Sequence, residues 1–215
     1  FLTRNNYEYT KQLATFALNK DIRFIYASSA ATYGSGLKGF SDEVDLETLA
    51  PLNLYGHSKH KFDMWAKEQG VLNRIVGLKY FNVFGPQETH KKIMSSVMFH
   101  FNKQIDECGE LKLFSGSGGY GDGEQRRDFV YVDDVIKVNI WMMDNKNISG
   151  IYNVGTGESF SFNDIANTII KRREKGKIKY IPFPKELEKN YQSFTQADLK
   201  KLRSTGYTNE FMSVN

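Results

Sequence analysis

Strand-like and helix-like segments alternate along the whole chain, and this alternation limits the possible folds more than any other feature of the sequence. Short apolar runs that favour strands occur at 22–29, 74–85, 111–114, 127–132, 150–155 and 178–184. Helical patterns lie between them, at 5–20, 54–69, 92–106 and 133–144, and after Ser161 and Thr195. Strands that alternate with helices predict an α/β fold with a mostly parallel sheet.

Several helical patterns carry an apolar face or a cap. The pattern at 92–106 has an apolar residue at every fourth position, namely Ile93, Val97, Phe101 and Ile105. The first pattern has Leu13, Phe16 and Ala17 along one side. Ser161 is predicted to cap a helix that carries Ile165, Ile169 and Ile170. Thr195, with Asp198 three residues later, is predicted to open the last helix with a capping box.

Composition excludes several classes of protein. Hydrophobic residues make up 40% of the 215 residues and charged residues 25%, which is ordinary for a globular chain. The net charge is +4, and the sequence contains no run of five like charges. Binding to nucleic acid or to a membrane surface therefore gains little support. A single cysteine, Cys108, rules out an internal disulfide. The sequence has no signal peptide and no long apolar span, so we expect a cytoplasmic protein.

The two ends of the chain lead us to expect an internal piece of a longer protein. The sequence begins at Phe1 and enters a helical pattern almost at once. It ends with "EFMSVN", just where a new segment begins.

Tyr55 and Lys59 stand four residues apart in the stretch "NLYGHSKHK". On a helix over 54–69 they share one face, although a surface tyrosine and a solvated lysine are the commoner outcome for such a pair. Their neighbours favour a site, because Ser28 and Ser29 end one predicted strand and Asn82 lies near the end of the next. Parallel strands deliver the residues at their carboxyl ends to one ligand crevice.

Three motifs occur in one order along the chain. They are Ser-Ala-x-x-Tyr-Gly at 29–34, Tyr-x-x-x-Lys at 55–59 and Tyr-Phe-Asn-x-x-Gly-Pro at 80–86. Together they resemble the extended short-chain dehydrogenase/reductase superfamily that acts on nucleotide sugars. Within it, the stretches 85–100 and 191–199 are similar to the family of ADP-heptose 6-epimerases. The resemblance runs from Asn5 to about Tyr207.

This resemblance implies an architecture. The fold is expected to be a Rossmann-like doubly wound parallel sheet, whose N-terminal strands are missing from this chain, with a smaller substrate-binding α/β domain. Residues 1–90 then form the C-terminal part of the NADP-binding Rossmann domain. Residues 91–215 form mostly the substrate-binding domain, with about 126–160 returning to the Rossmann domain.

The resemblance also implies an activity. An isomerase would convert ADP-D-glycero-β-D-manno-heptose to its L-glycero epimer at carbon six, for lipopolysaccharide core biosynthesis. Bound NADP would oxidise the sugar transiently, and NAD is the less expected cofactor, although the segment that separates the two is absent. A homo-oligomer, a pentamer by resemblance, is expected, with no nucleic-acid or membrane partner and no metal site.

The residue types at the motifs suit this chemistry. A tyrosine hydroxyl ordinarily titrates at about 10, so Tyr55 needs a nearby positive charge such as Lys59 to act as a base at neutral pH. Ser29 can hydrogen-bond the substrate oxygen that loses its proton. Epimerisation needs a second proton-handling group, which the resemblance assigns to Lys91; a solvated lysine beside Lys92 is an equally weighted alternative.

Other positions are assigned by resemblance alone. Asn5 and Val83, with Tyr55 and Lys59, match cofactor-binding positions, although Asn5 could be only a helix cap. The positions that match substrate contacts are Ser29, Asn82, His100, Phe114, Ser115, Gly116, Ser117 and Tyr191. His100 could instead be a packed or partly exposed histidine. Ile93 stands where the family commonly has a serine that touches substrate, so that contact is expected to be missing.

Arg127 suits the two phosphates of ADP, because a guanidinium fork matches phosphate oxygens. An ion pair with Asp128 is the competing interpretation.

The stretch "GSGGYG" at 116–121 fits the dinucleotide pattern G-x-G-x-x-G. That pattern binds a dinucleotide only where it follows a strand and opens a helix, whereas here it leads into a predicted strand. We interpret it as a mobile loop over the substrate, longer than usual for the family.

Two other functions stay open. A nucleotide-sugar 4-epimerase of the same superfamily is the alternative within the class, whereas the absence of an acidic pair after Ser29 argues against a 4,6-dehydratase. From another class, a non-catalytic cofactor-sensing relative would keep the fold without the chemistry. Such relatives usually lose the Tyr-x-x-x-Lys pair, which this chain keeps.

Overall fold

The computed structural model describes residues 1–214. Its α-helices are α1 (Tyr9–Asn19), α2 (Leu54–Glu68), α3 (Val97–Cys108), α4 (Val132–Asp144), α5 (Phe162–Arg173) and α6 (Lys200–Ser204). Its strands are β1 (Phe24–Ser29), β2 (Ile75–Tyr80), β3 (Asn82–Phe84), β4 (Glu110–Phe114), β5 (Arg126–Arg127), β6 (Phe129–Tyr131), β7 (Gly150–Val154), β8 (Phe160–Ser161) and β9 (Lys177–Ile181). Strands and helices alternate, and the predicted α/β class is confirmed.

Strands β1, β2 and β7 form a three-stranded parallel sheet in the order β1-β2-β7. Strand β2 lies in the middle, and five of its six residues are buried. A central parallel strand is covered on both faces, which is why its sequence, "IVGLKY", is an almost continuous apolar run. Helix α2 packs against β1 through Phe62 and Ala66, so the sheet fixes where α2 lies.

The predicted single strand at 74–85 is two strands in the structure. Phe81 separates them, because its amide donates to Val154 of β7 whereas the next amide, that of Asn82, donates to Asp128. Strand β3 then pairs in parallel with β6, and β2 stays in the sheet with β1 and β7. The chain thus crosses from one sheet to another at the point where polar residues follow β2.

The second half of the structure contains two smaller pairs of strands. Strand β4 pairs in parallel with β9, and β5 pairs in antiparallel fashion with β8. Helices α3 and α5 pack with β4 in one apolar cluster that includes Phe101, Leu111 and Ile165. The predicted cap of α5 is confirmed, because the Ser161 hydroxyl accepts from the amide of Asp164 and the Asp164 carboxylate accepts back.

Helix α3 begins five residues later than the sequence pattern predicted. Residues Glu88–Met94 instead form a kinked stretch of 3-10 turns, in which Lys92 has a φ of 51°. Ser96 then caps α3 by accepting from the amide of Phe99. The apolar spacing from Ile93 to Val97 is therefore misleading, since Ile93 is exposed outside the helix.

The prediction for the last helix was wrong. Helix α6 starts at Lys200 after Leu199, and Thr195 is buried where its hydroxyl accepts from the amide of Asp128. The capping pattern therefore marks a tertiary hydrogen bond and not a helix start.

The first helical segment does not bury the side that its apolar pattern predicted. Thr3–Glu8 wind as a π-helix that leads into α1. Helix α1 buries Ala14 and Ala17, whereas Leu13 and Phe16 are exposed. Within residues 1–214, no helix combines the length and the apolar character that crossing a bilayer requires.

Candidate active site

A cavity of about 490 Å³ opens at the carboxyl ends of β1 and β2 and beside β3. Five of the residues predicted to form a site line it together: Ser29, Tyr55, Asn82, Val83 and Lys91. These residues come from widely separated parts of the sequence. Their meeting follows from parallel pairing, which aligns Ser29 of β1 with Tyr80 of β2 just before Asn82.

Tyr55 lies in the first turn of α2, whose start is fixed by Asn53. The Asn53 side chain accepts from the amide of Gly56 at 2.8 Å and caps the helix. Tyr55 is 40% exposed and lines the cavity, so its hydroxyl is open to a ligand. Lys59 follows one turn later on the same face, as the spacing predicted.

Lys59 is held against the end of β1. Its ammonium donates to the carbonyl oxygen of Ala27 at 3.0 Å, and Ala27 itself lines the cavity. Burial lowers the pKa of Lys59, and the negative charge of Asp63 opposes that shift. The lysine is thus a fixed donor one turn from Tyr55, and is suited to stabilising a phenolate there.

Gly56 explains how α2 comes so close to the strand ends. A Cβ atom at this position would lie 2.7 Å from the carbonyl oxygen of Ala31 and 3.1 Å from Cβ of Pro51. Only a glycine lets the first turn of α2 approach the 3-10 turn that follows β1. This contact brings Tyr55 and Ser29 to the same cavity.

Ser29 ends β1 and caps the 3-10 turn at Ala30–Tyr33. Its hydroxyl oxygen accepts from the amide of Ala31 at 3.2 Å, which leaves the hydroxyl hydrogen available to a ligand in the cavity.

A buried polar network joins Asp63 of α2 to side chains of β1 and β2. Asp63 accepts from the Tyr26 hydroxyl at 2.8 Å and the Ser28 hydroxyl at 2.7 Å, and lies 3.3 Å from the ammonium of Lys79. Lys79 also donates to Thr32 at 2.6 Å. This network was not predicted from the sequence, where its one signal is a lysine inside the apolar strand β2, a residue that is rarely buried without a partner.

Lys91 reaches the cavity from the kinked segment Glu88–Met94. Its ammonium lies 3.5 Å from a carboxylate oxygen of Glu88, and its side chain stays partly exposed. Lys91 and Tyr55 come from different elements and line one cavity, and Lys91 is exposed there.

A second cluster surrounds Arg127 on β5. The buried guanidinium lies 4.7 Å from the centre of the Tyr191 ring and 5.7 Å from that of Phe162. Burial lowers the pKa of Arg127, while the nearby Tyr191 and Tyr120 oppose that shift. Asp128, the alternative partner, instead accepts hydrogen bonds from Thr156, Gly157 and Ala197.

Arg127 is buried and is not among the residues that line either of the two cavities in this region. Phe162 and Val97 line both the large cavity and a small adjoining one of about 90 Å³ that Tyr191 also lines, so the two clusters are neighbours.

The predicted contact residues at 114–117 lie beside this second cluster. Phe114 ends β4 and packs edge-on against Phe183, which in turn packs on Tyr191. The Ser115 hydroxyl accepts from the amide of Phe183. The motif at 116–121 is confirmed not to form a strand–turn–helix unit: it follows β4 and leads to β5, with Ser117 and Tyr120 in a bridge.

Nine predicted site residues do not line the large cavity: Asn5, Lys59, His100, Phe114, Ser115, Gly116, Ser117, Arg127 and Tyr191. Asn5 is exposed in the π-helical segment, although its neighbour Asn6 donates to Ser58 of α2 at 3.0 Å. His100 lies on α3 and its Nε2 is 3.4 Å from the carbonyl oxygen of Ile93. Ile93 is exposed and does not line the cavity either.

Gln192 lines the cavity and was not predicted. Its side-chain nitrogen donates to Ala30 at 3.1 Å and Gly34 at 2.6 Å, so the residue after Tyr191 is tied to the turn behind Ser29. The residue is half-buried in an irregular segment, where no periodic pattern marks a cavity-lining position. Among residues 1–214 there is no group of three or more histidine, cysteine or acidic residues placed to hold a metal.

Residues 2–155 match the NAD dependent epimerase/dehydratase family. A curated relative from Alkalilimnicola ehrlichii, described as ADP-L-glycero-D-manno-heptose-6-epimerase, is 48% identical over 208 residues, which are 96% of this chain and 64% of the relative. This chain therefore spans slightly less than two thirds of that relative.

Solved structures give the same picture of the fold. Helicobacter pylori ADP-L-glycero-D-manno-heptose-6-epimerase has a TM-score of 0.76 at 34% identity, covering 93% of this chain and 58% of that one. UDP-N-acetylglucosamine 4-epimerase from Methanobrevibacter ruminantium has a TM-score of 0.80 at 24% identity, covering 96% and 64%. The second likeness shows the fold alone.

Proposed function

The chain belongs to the NAD dependent epimerase/dehydratase family, and from that premise we propose that the protein epimerises ADP-D-glycero-β-D-manno-heptose at carbon six to the L-glycero form. The observation that carries this proposal is the meeting of Tyr55 and Lys91 in one cavity. Similarity to two ADP-L-glycero-D-manno-heptose-6-epimerases, at 48% and 34% identity, supports the choice of substrate. The expected place of the reaction is lipopolysaccharide core biosynthesis.

The chain's residues fit one half of a nicotinamide dinucleotide. Lys59, fixed on Ala27, and Val83 lie beside Tyr55 at the carboxyl end of the sheet, where such a ring and its ribose bind in α/β folds. We assign these residues to the cofactor, with NADP as the finer proposal and NAD as its alternative. When bound, this group accepts a hydride from carbon six and returns it, with no net redox change.

Tyr55 takes the proton of the hydroxyl on carbon six as that carbon is oxidised to a ketone. Ser29 hydrogen-bonds the same oxygen, and Lys59 stabilises the phenolate form of Tyr55. After rotation of the exocyclic group, the opposite face of the ketone is reduced and Lys91 supplies the proton to the oxygen. Two proton-handling groups on different elements thereby serve two faces of one carbon.

We assign the nucleotide to the second cluster. The guanidinium of Arg127 is the buried cation suited to a diphosphate, and Tyr191 packs on it at 4.7 Å. Asn82, His100 and Phe114 to Ser117 are the further substrate contacts in this proposal. Ile93 supplies none, because an isoleucine side chain has no hydrogen-bonding group.

We further propose that residues 1–90 belong to the cofactor-binding domain and that 91–215 form mostly the substrate-binding domain, with about 126–160 returning to the first. Support comes from β7, which lies in the returning segment and pairs with β2.

The test uses the natural full-length protein and an NMR assay of the heptose product. Tyr55→Phe and Lys91→Met each remove one proton-handling group, so each should lower kcat by at least ~1,000-fold while substrate affinity stays within about threefold. Tyr9→Phe and Lys92→Met are matched controls, because Tyr9 is an exposed tyrosine on α1 and Lys92 is the adjacent lysine. Both controls should keep their kcat.

The outcomes separate the candidate functions. A Lys91→Met protein with most of its kcat would remove Lys91 from the mechanism. Turnover of a UDP-sugar at carbon four, with none of ADP-heptose, would replace the proposal by a 4-epimerase. No turnover of either substrate, with intact nucleotide binding, would favour a cofactor-sensing role.

A further inference from the structure

A buried carboxylate lies beside Lys91 at the edge of the candidate cavity. Glu88 is 3% exposed, and its Oε2 atom is 3.5 Å from the ammonium of Lys91. A carboxylate is removed from water in this way only where hydrogen bonds and opposite charge compensate it. The partners of Glu88 therefore show what it holds in place.

Those partners all come from the segment that carries Lys91 and from its two ends. The amide and the hydroxyl of Ser96 donate to the two carboxylate oxygens, each at 2.6 Å, and the amide of Gly85 donates at 3.2 Å. Ser96 is also the N-cap of α3. Glu88 thus ties the Lys91 segment to the start of α3 and to the residue that follows β3.

The backbone of this segment needs such a constraint. Gln87, with a φ of 62°, and Lys92, with a φ of 51° and a ψ of −120°, flank the turn that holds Glu88 and Lys91. Non-glycine residues stay in these regions only where surrounding interactions over-determine them. The carboxylate bonds of Glu88, and the bond from the Ser95 hydroxyl to its carbonyl at 2.9 Å, supply that constraint.

From this geometry we propose that Glu88 is a positioning residue, which fixes the turn at 88–94 and holds the Lys91 ammonium over the cavity that Tyr55 lines. Glu88 acts through Lys91 and not on the substrate. The inference rests on the proposed function, in which Lys91 handles a proton.

The charge of Glu88 agrees with this role. Burial on its own would raise the pKa of Glu88, but the hydrogen bonds from Ser96 and Gly85 and the charge of Lys91 outweigh it, and the pKa lies below its ordinary value. Glu88 is therefore an anion at neutral pH, and Lys91 has a fixed negative partner.

The kinetic test is Glu88→Gln in the natural full-length protein. A misplaced ammonium should lower kcat by about 10- to 100-fold, while KM stays within about threefold because no substrate contact is removed. In a Lys91→Met background the same substitution should add less than about a twofold loss, since it acts through a side chain that is no longer there. Glu107→Gln is the matched control, because Glu107 pairs with Lys103 at 3.6 Å on the exposed surface of α3.

A second measurement does not depend on activity. Acetic anhydride should label Lys91 about threefold faster or more in Glu88→Gln than in the parent protein, because its ion-pair partner is gone. Labelling of Lys103 on the exposed surface of α3, counted by peptide mass spectrometry in the same sample, is the internal reference. If Glu88→Gln does not fold, Glu88→Asp keeps the charge one methylene shorter and should show smaller changes in the same directions.

The results distinguish this inference from the proposed function. A normal kcat in Glu88→Gln, an additive loss in the double variant or unchanged labelling of Lys91 overturns the positioning role. If the parent protein does not turn over ADP-heptose but Lys91 labels faster in Glu88→Gln, the pairing is supported and only the proposed function fails.

Discussion

Lys79 and Asp63 form an ion pair that is almost wholly removed from water. Their side chains are 1% and 0% exposed, and their charged atoms are 3.3 Å apart. Burial lowers the pKa of Lys79, and Asp63 opposes that shift. Removing one partner of such a pair lowers the free energy of unfolding by far more than the intact pair contributes to it, because the other charge is left buried without a partner.

Lys79→Met should therefore destabilise the protein strongly, by about 3–5 kcal/mol, since Asp63 keeps only the hydroxyls of Tyr26 and Ser28. The double variant Lys79→Met with Asp63→Asn should recover at least about half of that loss, as no buried charge remains. Denaturant unfolding of the full-length protein measures both, with exposed Lys103→Met as the control. Equal losses in the single and double variants would show that the charge is not the cause.

At the scale of residues, the strand and helix patterns predicted that Ser29, Tyr55 and Asn82 lie close together. Ser29, Tyr55 and Asn82 share a cavity because strand ends and a helix face deliver them there. Glu88 and Gln192 were missed because both stand in irregular segments. An acidic residue three positions before a lysine has the pattern of a solvated pair, and only the fold of the turn buries it.

At the scale of elements, the contact between α2 and the turn after β1 places the candidate base. Gly56 leaves no room for a side chain between the helix and the carbonyl oxygen of Ala31. A backbone atom, unlike the end of a flexible side chain, cannot move aside without displacing the turn that Ser29 caps.

Gly56→Ala should therefore move α2 away from Ser29. We expect kcat to fall by about 10- to 100-fold through misplacement of Tyr55, and stability to fall by about 1–3 kcal/mol through overpacking. His57→Ala is the matched control, because it adds an alanine at the next, exposed position of the helix. Normal kinetics in Gly56→Ala would mean that the approach of α2 is not what positions Tyr55.

The element boundaries that the sequence missed have local physical causes. The apolar spacing at 92–106 predicts a helix through Lys92, yet the hydrogen bonds of Glu88 and the cap at Ser96 start α3 at Val97. The run at 74–85 looks like one strand because both halves are apolar. Its break at Phe81 depends on partners more than 40 residues away, Asp128 and Val154, which no local pattern contains.

At the scale of the whole molecule, Asn153 on β7 joins three distant segments. Its side-chain oxygen accepts from the Tyr33 hydroxyl at 2.7 Å, and its side-chain nitrogen donates to the carbonyls of Phe40 and Asp198 at 2.7 and 3.0 Å. Its amide donates to Asp42 at 2.7 Å. The loop after β1, the sheet and the segment before α6 therefore meet at one buried polar centre.

Asp42 makes this centre sensitive to pH. Burial raises the pKa of Asp42 to about 6, although the Asn153 amide and Lys201 oppose the shift. A carboxyl whose pKa is higher in the folded state than in the unfolded state binds its proton more tightly when folded. The stability it contributes is therefore fully present below the unfolded pKa of about 4 and is lost as the pH rises through about 6.

Asp42→Asn removes this titration, so the variant should gain stability relative to the parent as the pH rises from 4 to 8. The change in that difference should be about 1–3 kcal/mol, the linkage that a shift of this size sets, and denaturant unfolding at each pH measures it. Asp45→Asn is the control, because a hydrogen bond from Lys67 lowers the pKa of Asp45 and the contribution of Asp45 is lost only as the pH falls below its unfolded value. Its difference from the parent should therefore change little between pH 4 and 8. If the difference between Asp42→Asn and the parent were the same at pH 4 and pH 8, Asp42 would titrate alike in both states. The polar centre at Asn153 would then not set the pH dependence of folding.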